Sequence, residues 1–367
     1  MKFLGKSLLI ILLIVLLYLG AVIGYAMFTD YQPSSTESVS IQNNSTLELS
    51  KDSLSLLIWN IGFTGLGEES DFFYDGGKTV HMPEEVVKKN LEGMLNWVTR
   101  QVPEIDFLLL QEVDKQSTRS YEIDQVDLIS TLIPEYAQAF ARNYDVDFIP
   151  IPIFEPLGEV LSGVSSWSKY KITSASRHPF EGNFDFPTYL FFLDRCFLTL
   201  RYSLQNGKEL VLINTHNSAY DDGTLKQTQM EQLKQVLLDE YADGNYVIVG
   251  GDWNQFPPDF TGVGNFPQPR TEANENLFVS ASYPSPDWSW GYDASVPTNR
   301  SLAAAFDADT TYRTVIDYYL VSPNIEILEV SGVDLGFQFS DHNPVRMRVR
   351  LSSEDLSGVR DGASSED

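Results

Sequence analysis

Six short apolar runs constrain this chain most, because each one meets a polar side chain suited to metal binding or proton transfer. Residues 54–59 run into Asn60, 107–110 into Gln111 and Glu112, and 210–213 into Asn214, Thr215 and His216. Residues 246–249 lead into Gly250-Gly251-Asp252-Trp253-Asn254, Asp317 lies inside the run 315–321, and Ser340-Asp341-His342-Asn343-Pro344 precedes 345–349. Runs this short, with 196–202 as a seventh, read as buried strands. Two segments have helical spacing instead. In 83–100, Val87, Leu91, Met94, Leu95 and Val98 share a face, with Pro83 suited to the first turn, and in 225–241 Met230, Leu233, Val236, Leu237 and Tyr241 do the same. Strands outnumber helices, so the expected fold is α/β (α+β), a sheet-on-sheet core with helices packed outside. A fold that gathers strand ends at one rim brings the polar residues into one cleft.

Taken singly, each position has an ordinary structural role. Asn60 can cap a turn, Glu112 can be a surface charge, Asp252 can open a Gly-Asp turn, and either histidine can sit satisfied in a core. Six such positions in this order favour a site. Composition then removes several classes of function. Lys and Arg number 25 against 51 Asp and Glu, a formal charge of −26, which repels phosphate backbones and disfavours long nucleic acid as a partner. A single cysteine, Cys196, excludes a disulfide framework and a Cys-rich zinc module, and four histidines argue against a multi-histidine cage.

The N-terminus is of another kind. Residues 8–28 form an uncharged run of 21 residues preceded by Lys2 and Lys6 and followed by Asp30. That length matches the ~20 residues needed to cross a bilayer, and the flanking charges place the N-terminus in the cytoplasm and the rest outside. Residues 1–28 are therefore expected as a transmembrane signal anchor in the cell membrane. Small residues at Gly24 and Ala26 leave a cleaved signal peptide, and a secreted protein, as the alternative. Residues 29–52, rich in Ser, Thr, Asn and Gln, read as a polar linker, 53–352 as the catalytic domain, and 353–367, with five acids and one arginine, as an acidic tail.

In order, Ile58-Trp59-Asn60-Ile61, Leu109-Leu110-Gln111-Glu112-Val113, Asn214-Thr215-His216, Gly251-Asp252-Trp253-Asn254, Ile316-Asp317-Tyr318 and Ser340-Asp341-His342-Asn343-Pro344 resemble the endonuclease/exonuclease/phosphatase (DNase I-like) superfamily. That superfamily includes DNase I, neutral sphingomyelinases and inositol-polyphosphate 5-phosphatases, and the resemblance spans roughly 54–351. It implies a DNase I-like four-layer sandwich, two mixed β-sheets packed face to face with helices outside. It also implies Glu112 as the principal metal carboxylate, with Asn60 and Asp341 near the same ion. Such an oxygen set suits Mg²⁺, with Mn²⁺ as a substitute. By the same resemblance His342 contacts the scissile phosphate or activates water, with Asp317 orienting it. Asp252 and Asn254 lie beside the attacking water and a phosphoryl oxygen, and His216 contacts a phosphate oxygen or protonates the leaving group. Whether Asp252 or His342 takes the proton stays open at this stage. The reaction implied is in-line attack of water on a phosphodiester or phosphomonoester, without a covalent intermediate on the protein.

Further stretches carry less. Arg142, Asn143 and Arg313 are candidates for contacting substrate phosphate, Ser168 for a structural role, and Trp288, Trp290 and Tyr292, in the loop-like stretch 285–300, for packing over the sandwich edge. The resulting expectation is a membrane-anchored, extracytoplasmic, Mg²⁺-dependent phosphoesterase acting on a small or lipid-headgroup phosphoester. An extracellular nuclease and a catalytically degraded surface-binding module are the alternatives. All six motif positions retain a chemically competent residue, which counts against the second.

Overall fold

Strands that are apolar on both faces need covering on both sides, and the chain does this with two seven-stranded sheets face to face and helices outside. The computed structural model describes residues 2–33, 35–219, 223–269, 271 and 277–352, so the acidic tail expected at 353–367 lies outside the described residues. From the N-terminus the chain forms α1 (Lys2–Thr29), β1 (Glu37–Ser38), β2 (Ile41–Gln42), β3 (Ser53–Asn60), α2 (Glu84–Gln101), β4 (Phe107–Ser117), α3 (Gln125–Leu132), β5 (Ala137–Ile149), β6 (Gly158–Ser168) and β7 (Ser174–Pro179). It continues through β8 (Cys196–Ser203), β9 (Glu209–His216), α4 (Thr224–Ala242), β10 (Tyr246–Asp252), β11 (Gly262–Val263), β12 (Phe266–Pro267) and β13 (Ser289–Gly291). It ends with β14 (Asn299–Arg300), β15 (Arg313–Thr314), β16 (Asp317–Val321), β17 (Ile325–Gly332) and β18 (Val345–Leu351).

One sheet has the order β17-β18-β3-β4-β6-β5-β2 and the other β1-β7-β8-β9-β10-β16-β13. Each contains one parallel pair, β3 with β4 and β9 with β10. A parallel pair needs a crossover connection, and α2 and α4 supply the two. Alternation along the strands then sorts the side chains. Leu56, Ile58, Leu109, Leu200, Leu212 and Ile248 meet between the sheets. Leu57, Trp59 and Leu108 face outward under Leu91, Met94 and Val98 of α2, and Val211, Ile213 and Val247 lie under Leu233 and Leu237 of α4. Pro83 stands at the N-cap of α2, just before its first turn. Trp288 and Trp290 pack against the α4 side, as expected, with the Trp290 ring 5.3 Å from Trp253.

The stretch 29–52 differs from a free linker. β1 pairs with β7 and β2 with β5, Leu49 is buried, and the Asn44 carboxamide makes two hydrogen bonds of 3.0 Å with the Ile172 backbone. Edge pairing of this kind uses main-chain groups, which polar residues carry as well as apolar ones, so composition alone does not reveal it. α1 is long and apolar enough to cross a membrane, and its C-terminal end touches β5 and the turn Thr188–Phe191.

Candidate active site

Three of the expected site residues are strand neighbours. Register pairs Asp252 with His216 on one side and with Asp317 on the other, so the three stand in one row at the rim of the second sheet. Gly251 makes this possible: at φ +147, a Cβ there would lie 2.1 Å from the Thr215 carbonyl oxygen. The first sheet supplies the opposing side. Asn60 ends β3 beside Gln111 of β4, and β4 then bulges between Leu110 and Val113, with Glu112 at φ +53. A bulge re-aims a side chain, and this one turns the Glu112 carboxylate toward Asn60.

Asn60 links the halves. Its Nδ2 donates to Glu112 Oε1 at 3.2 Å and to Asp252 Oδ2 at 3.1 Å, while its Oδ1 accepts from the Gly62 amide at 3.0 Å. Beneath it, Gln111 Nε2 donates across the sheets to Asn214 Oδ1 at 2.7 Å, and Asn214 Nδ2 bonds to Leu110 O and Ser165 O. Asp341 arrives from the turn before β18. Gly62, at φ +49, leaves room for it, since a Cβ would stand 2.7 Å from Asp341 Oδ1. Ser340 Oγ donates to the Asn60 carbonyl at 2.8 Å and holds that turn against β3.

His342 is gripped at both ring nitrogens. Nδ1 lies 2.8 Å from Asp317 Oδ2 and Nε2 2.9 Å from the Asn299 carboxamide nitrogen. A carboxamide offers a donor or an acceptor according to which way it faces, so Asn299 suits a ring that changes protonation. Burial opposes charge on His342, but Asp317, Asp341 and Asp252 outweigh it and hold the ring well above its ordinary pKa. His216 goes the other way. Burial, then Arg195, His342 and Arg119, hold it well below the ordinary value, with Nε2 3.5 Å from Asp252 Oδ2. Burial and the neighbouring Asp317 push Asp252 up to about 6, against the opposing pull of His342. Asp341 is pushed up to about 7 by burial and by Glu112, with His342 opposing. Groups driven apart in this way divide acid and base roles between them.

The donor set fits a hard divalent cation. Glu112 and Asp341 offer only oxygen ligands, with Asn60 steadying Glu112 through its Nδ2, and Glu112 raises the pKa of Asp341, a repulsion that a cation between them relieves. Ligand atoms of Asp252, Asp317 and His342 also fall within 4.8 Å of one another, but there Asp317 is engaged with the His342 ring.

Glu112, His216, Asp252, Asp341, His342 and Asn299 line a cleft of about 380 Å³, together with Asn254, whose Nδ2 donates to Asn217 O at 2.9 Å, while Asn60 and Asp317 stand behind that lining. Phe63, Leu66, Phe72, Leu157, Phe192 and Leu193 supply the apolar part of its wall. Asn143 also lines it, and its buried Nδ2 has no hydrogen-bond partner among the described residues. Arg142 and Arg313 do not join the site. Arg142 follows Asn143's neighbour rule on a strand, pointing to the opposite face, where it pairs with Asp145 at 2.6 Å and stacks 3.7 Å over Tyr31. Arg313 donates to Ala308 O at 2.7 Å and lies over Phe266. The Ser168 hydroxyl bonds to the Tyr170 backbone, a structural role. Sequence reasoning misses Asn299 and three cleft arginines, Arg119, Arg195 and Arg300. Arg119 is fixed by the buried Asp114 at 2.9 Å and stacks 3.9 Å over Phe63.

The family model described as "Endonuclease/Exonuclease/phosphatase family" matches residues 58–342. No curated protein matches the sequence. Among solved structures, an endonuclease/exonuclease/phosphatase from Beutenbergia cavernae is similar at 17% identity and TM-score 0.54, covering 82% of this chain and 72% of that one. D. rerio TDP2, complexed with a single-strand DNA product, is similar at 13% identity and TM-score 0.51, covering 82% and 99%. ANGEL2, a 2',3'-cyclic phosphatase in complex with adenosine-2',3'-vanadate, is similar at 15% identity and TM-score 0.53, covering 87% and 99%.

Proposed function

We propose, since the chain belongs to the endonuclease/exonuclease/phosphatase family, that its cleft is the active site of a Mg²⁺-dependent phosphoesterase for small or lipid-headgroup substrates. Members of the family hydrolyse phosphoester bonds and generally use divalent metal ions. The observation that carries the reading is the convergence on one cleft of the Glu112 and Asp341 carboxylates, with Asn60 bonded to Glu112, and the His342 ring, backed by the buried Asp317. Glu112, with Asn60 and Asp341 beside it, would hold Mg²⁺, or Mn²⁺ in its place. When bound, the ion neutralises charge on the phosphoryl oxygens.

The chain's own residues do the rest. His342, held charged, donates from Nε2 to a phosphoryl oxygen that takes the place of the Asn299 carboxamide, and Asp317 fixes the ring in that orientation. Asp252, with its pKa near 6, accepts the proton of the attacking water. The water oxygen forms the new bond to phosphorus, and the ester oxygen opposite departs with its electron pair. Asn254 is held beside Asp252 by its backbone N–H, which donates to Asp252 Oδ1 at 2.9 Å, and orients water or phosphate. His216, held neutral, contacts a phosphoryl oxygen from Nε2. The apolar wall of the cleft and the charge of −26 support a lipid or other small ester over long nucleic acid. In this reading α1 anchors residues 53–352 on the extracytoplasmic face of the cell membrane.

The test is a panel of bis-p-nitrophenyl phosphate, sphingomyelin, phosphoinositides, plasmid DNA and RNA, with added Mg²⁺ and with excess chelator. Metal-dependent turnover of the small or lipid esters supports the reading. Turnover of nucleic acid alone overturns the substrate class, full activity in chelator overturns the metal, and no turnover throughout overturns the enzyme.

A further inference from the structure

The apolar helix does not end where the domain begins. Along α1 the described side chains are exposed up to Ala21, apart from half-buried Ser7; from there Val22 and Ile23 are half-buried and Ala26 is buried against the domain. Tyr25 Oη donates to Asp147 Oδ2 of β5 at 2.9 Å. From Val22 to Phe28 the domain thus runs alongside about 9 Å of apolar helix at 1.5 Å per residue. The apolar run of residues 8–28 has little length to spare for crossing the hydrocarbon layer, so the shared stretch falls at the bilayer boundary, and the parts of the domain beside it fall there too.

Those parts carry the three most exposed large apolar side chains outside α1 among the described residues. Phe154 is fully exposed and Ile153 69% exposed in the loop after β5, and Phe186 is 56% exposed just before the turn Thr188–Phe191 that α1 touches. Scattered single apolar residues need no explanation, but a group on two adjoining segments does. The same two segments lead into Leu157, Phe192 and Leu193 of the cleft wall. Glu155 and Asp185 are the charged residues among them, which suits a zwitterionic surface and repels an anionic one.

We propose that the loops bearing Ile153, Phe154 and Phe186 insert into the outer boundary of the bilayer that holds α1, so that the cleft opens onto the headgroup layer and takes its phosphoester from lipid. The insertion rests on α1 as a membrane helix, and the substrate class rests on the phosphoesterase reading above.

The test uses the full chain in phosphatidylcholine vesicles, with nitroxide attached at F154C, F186C, L13C or Q205C. Cys196 is fully buried and its thiol is pushed up to about 11 by burial, so it stays unlabelled. Gln205 lies in the β8–β9 turn, at the end of β9 opposite His216. The expected result is that dissolved oxygen outcompetes a water-soluble nickel complex at 154 and 186 as it does at 13, with the reverse at 205. Water access at 154 and 186 while 13 lies in lipid overturns the insertion, and water access at 13 overturns the anchor beneath it. Shielding of 154 and 186 from both probes means that a second copy covers the patch, which also overturns the insertion. A second arm reads substrate. The double variant I153S/F154S should lose at least about tenfold on a lipid ester in vesicles, the worth of burying one large apolar side chain, and keep its rate on bis-p-nitrophenyl phosphate. Equal losses overturn the lipid route. Absence of wild-type turnover overturns the phosphoesterase reading and leaves the depth result standing.

Discussion

Asp317 is the residue whose replacement tests the catalytic reading most cleanly, because it is 1% exposed and lies outside the cleft lining. It cannot touch substrate. Its Oδ2 stands 2.8 Å from His342 Nδ1 inside the protein, so it acts only through the ring and is a positioning residue. Asp317→Asn preserves shape and removes the charge. A hydrogen bond to a charged group is worth about 1.5–3 kcal/mol, and each 1.4 kcal/mol is tenfold in rate. The lost bond alone therefore costs roughly 10- to 100-fold. Loss of ring orientation adds to this, up to the ~10⁴ limit of a positioned acid–base group. The expected outcome is a fall in kcat of at least about 100-fold on bis-p-nitrophenyl phosphate, with KM little changed and the far-UV spectrum intact. A folded variant within threefold of wild-type kcat, about 0.7 kcal/mol, would refute the assignment of His342 as the group that acts on phosphate. A raised KM at constant kcat would show Asp317 serving binding instead.

Glu112→Gln should abolish most turnover and weaken Mg²⁺ binding in calorimetry, with Tm unchanged or higher, because one carboxylate of a repelling pair is gone; Mg²⁺ binding as in wild type would sink the metal assignment. His216→Ala should lower kcat equally on a p-nitrophenyl ester and an alkyl ester, since a neutral imidazole contacts phosphate without protonating the leaving group; a selective loss on the alkyl ester would restore the leaving-group role. Asp194 is pushed up to about 7 by burial and by Asp30 and Asp145, with Arg177 opposing, from an ordinary value of 3.8. The raised pKa favours the folded state below pH 4, and that contribution is lost as pH rises through 7. The gap corresponds to at most about 4 kcal/mol, cut to roughly half by partial exposure. Asp194→Asn should therefore raise Tm at pH 8 and flatten its dependence between pH 4 and 8, and an unchanged dependence would refute this.

The strands that were legible are those buried on both faces, because their side chains form unbroken apolar runs. β3, β8 and β9 appear within a residue or two of the expected bounds, while β4 and β10 run several residues further at their C-terminal ends. β5, with Arg142, Asp145 and Asp147, and β17, with Glu326 and Glu329, alternate with charge and are not legible as runs. The site follows the same logic. His216, Asp252 and Asp317 follow from strand ends, since register sets them side by side. Asn299 does not, because it reaches His342 through an isolated bridge from a two-residue strand with no period to detect. Arg142 and Asn143 looked equivalent in sequence, yet only Asn143 lines the cleft.

β18 lies between β17 and β3, and the turn that leads into it carries Asp341 and His342. The last core strand to be synthesised thus closes the edge of the first. A ribosome that has delivered the chain only as far as β16 has produced Asn60, Glu112, His216 and Asp252, but Asp317 has no ring to orient and β3 has a bare edge. Such an edge invites pairing with other chains. The residues at the rim are therefore all present only once the chain has been made through β18, and a product that stops after β16 lacks Asp341 and His342 and leaves the edge of β3 unpaired.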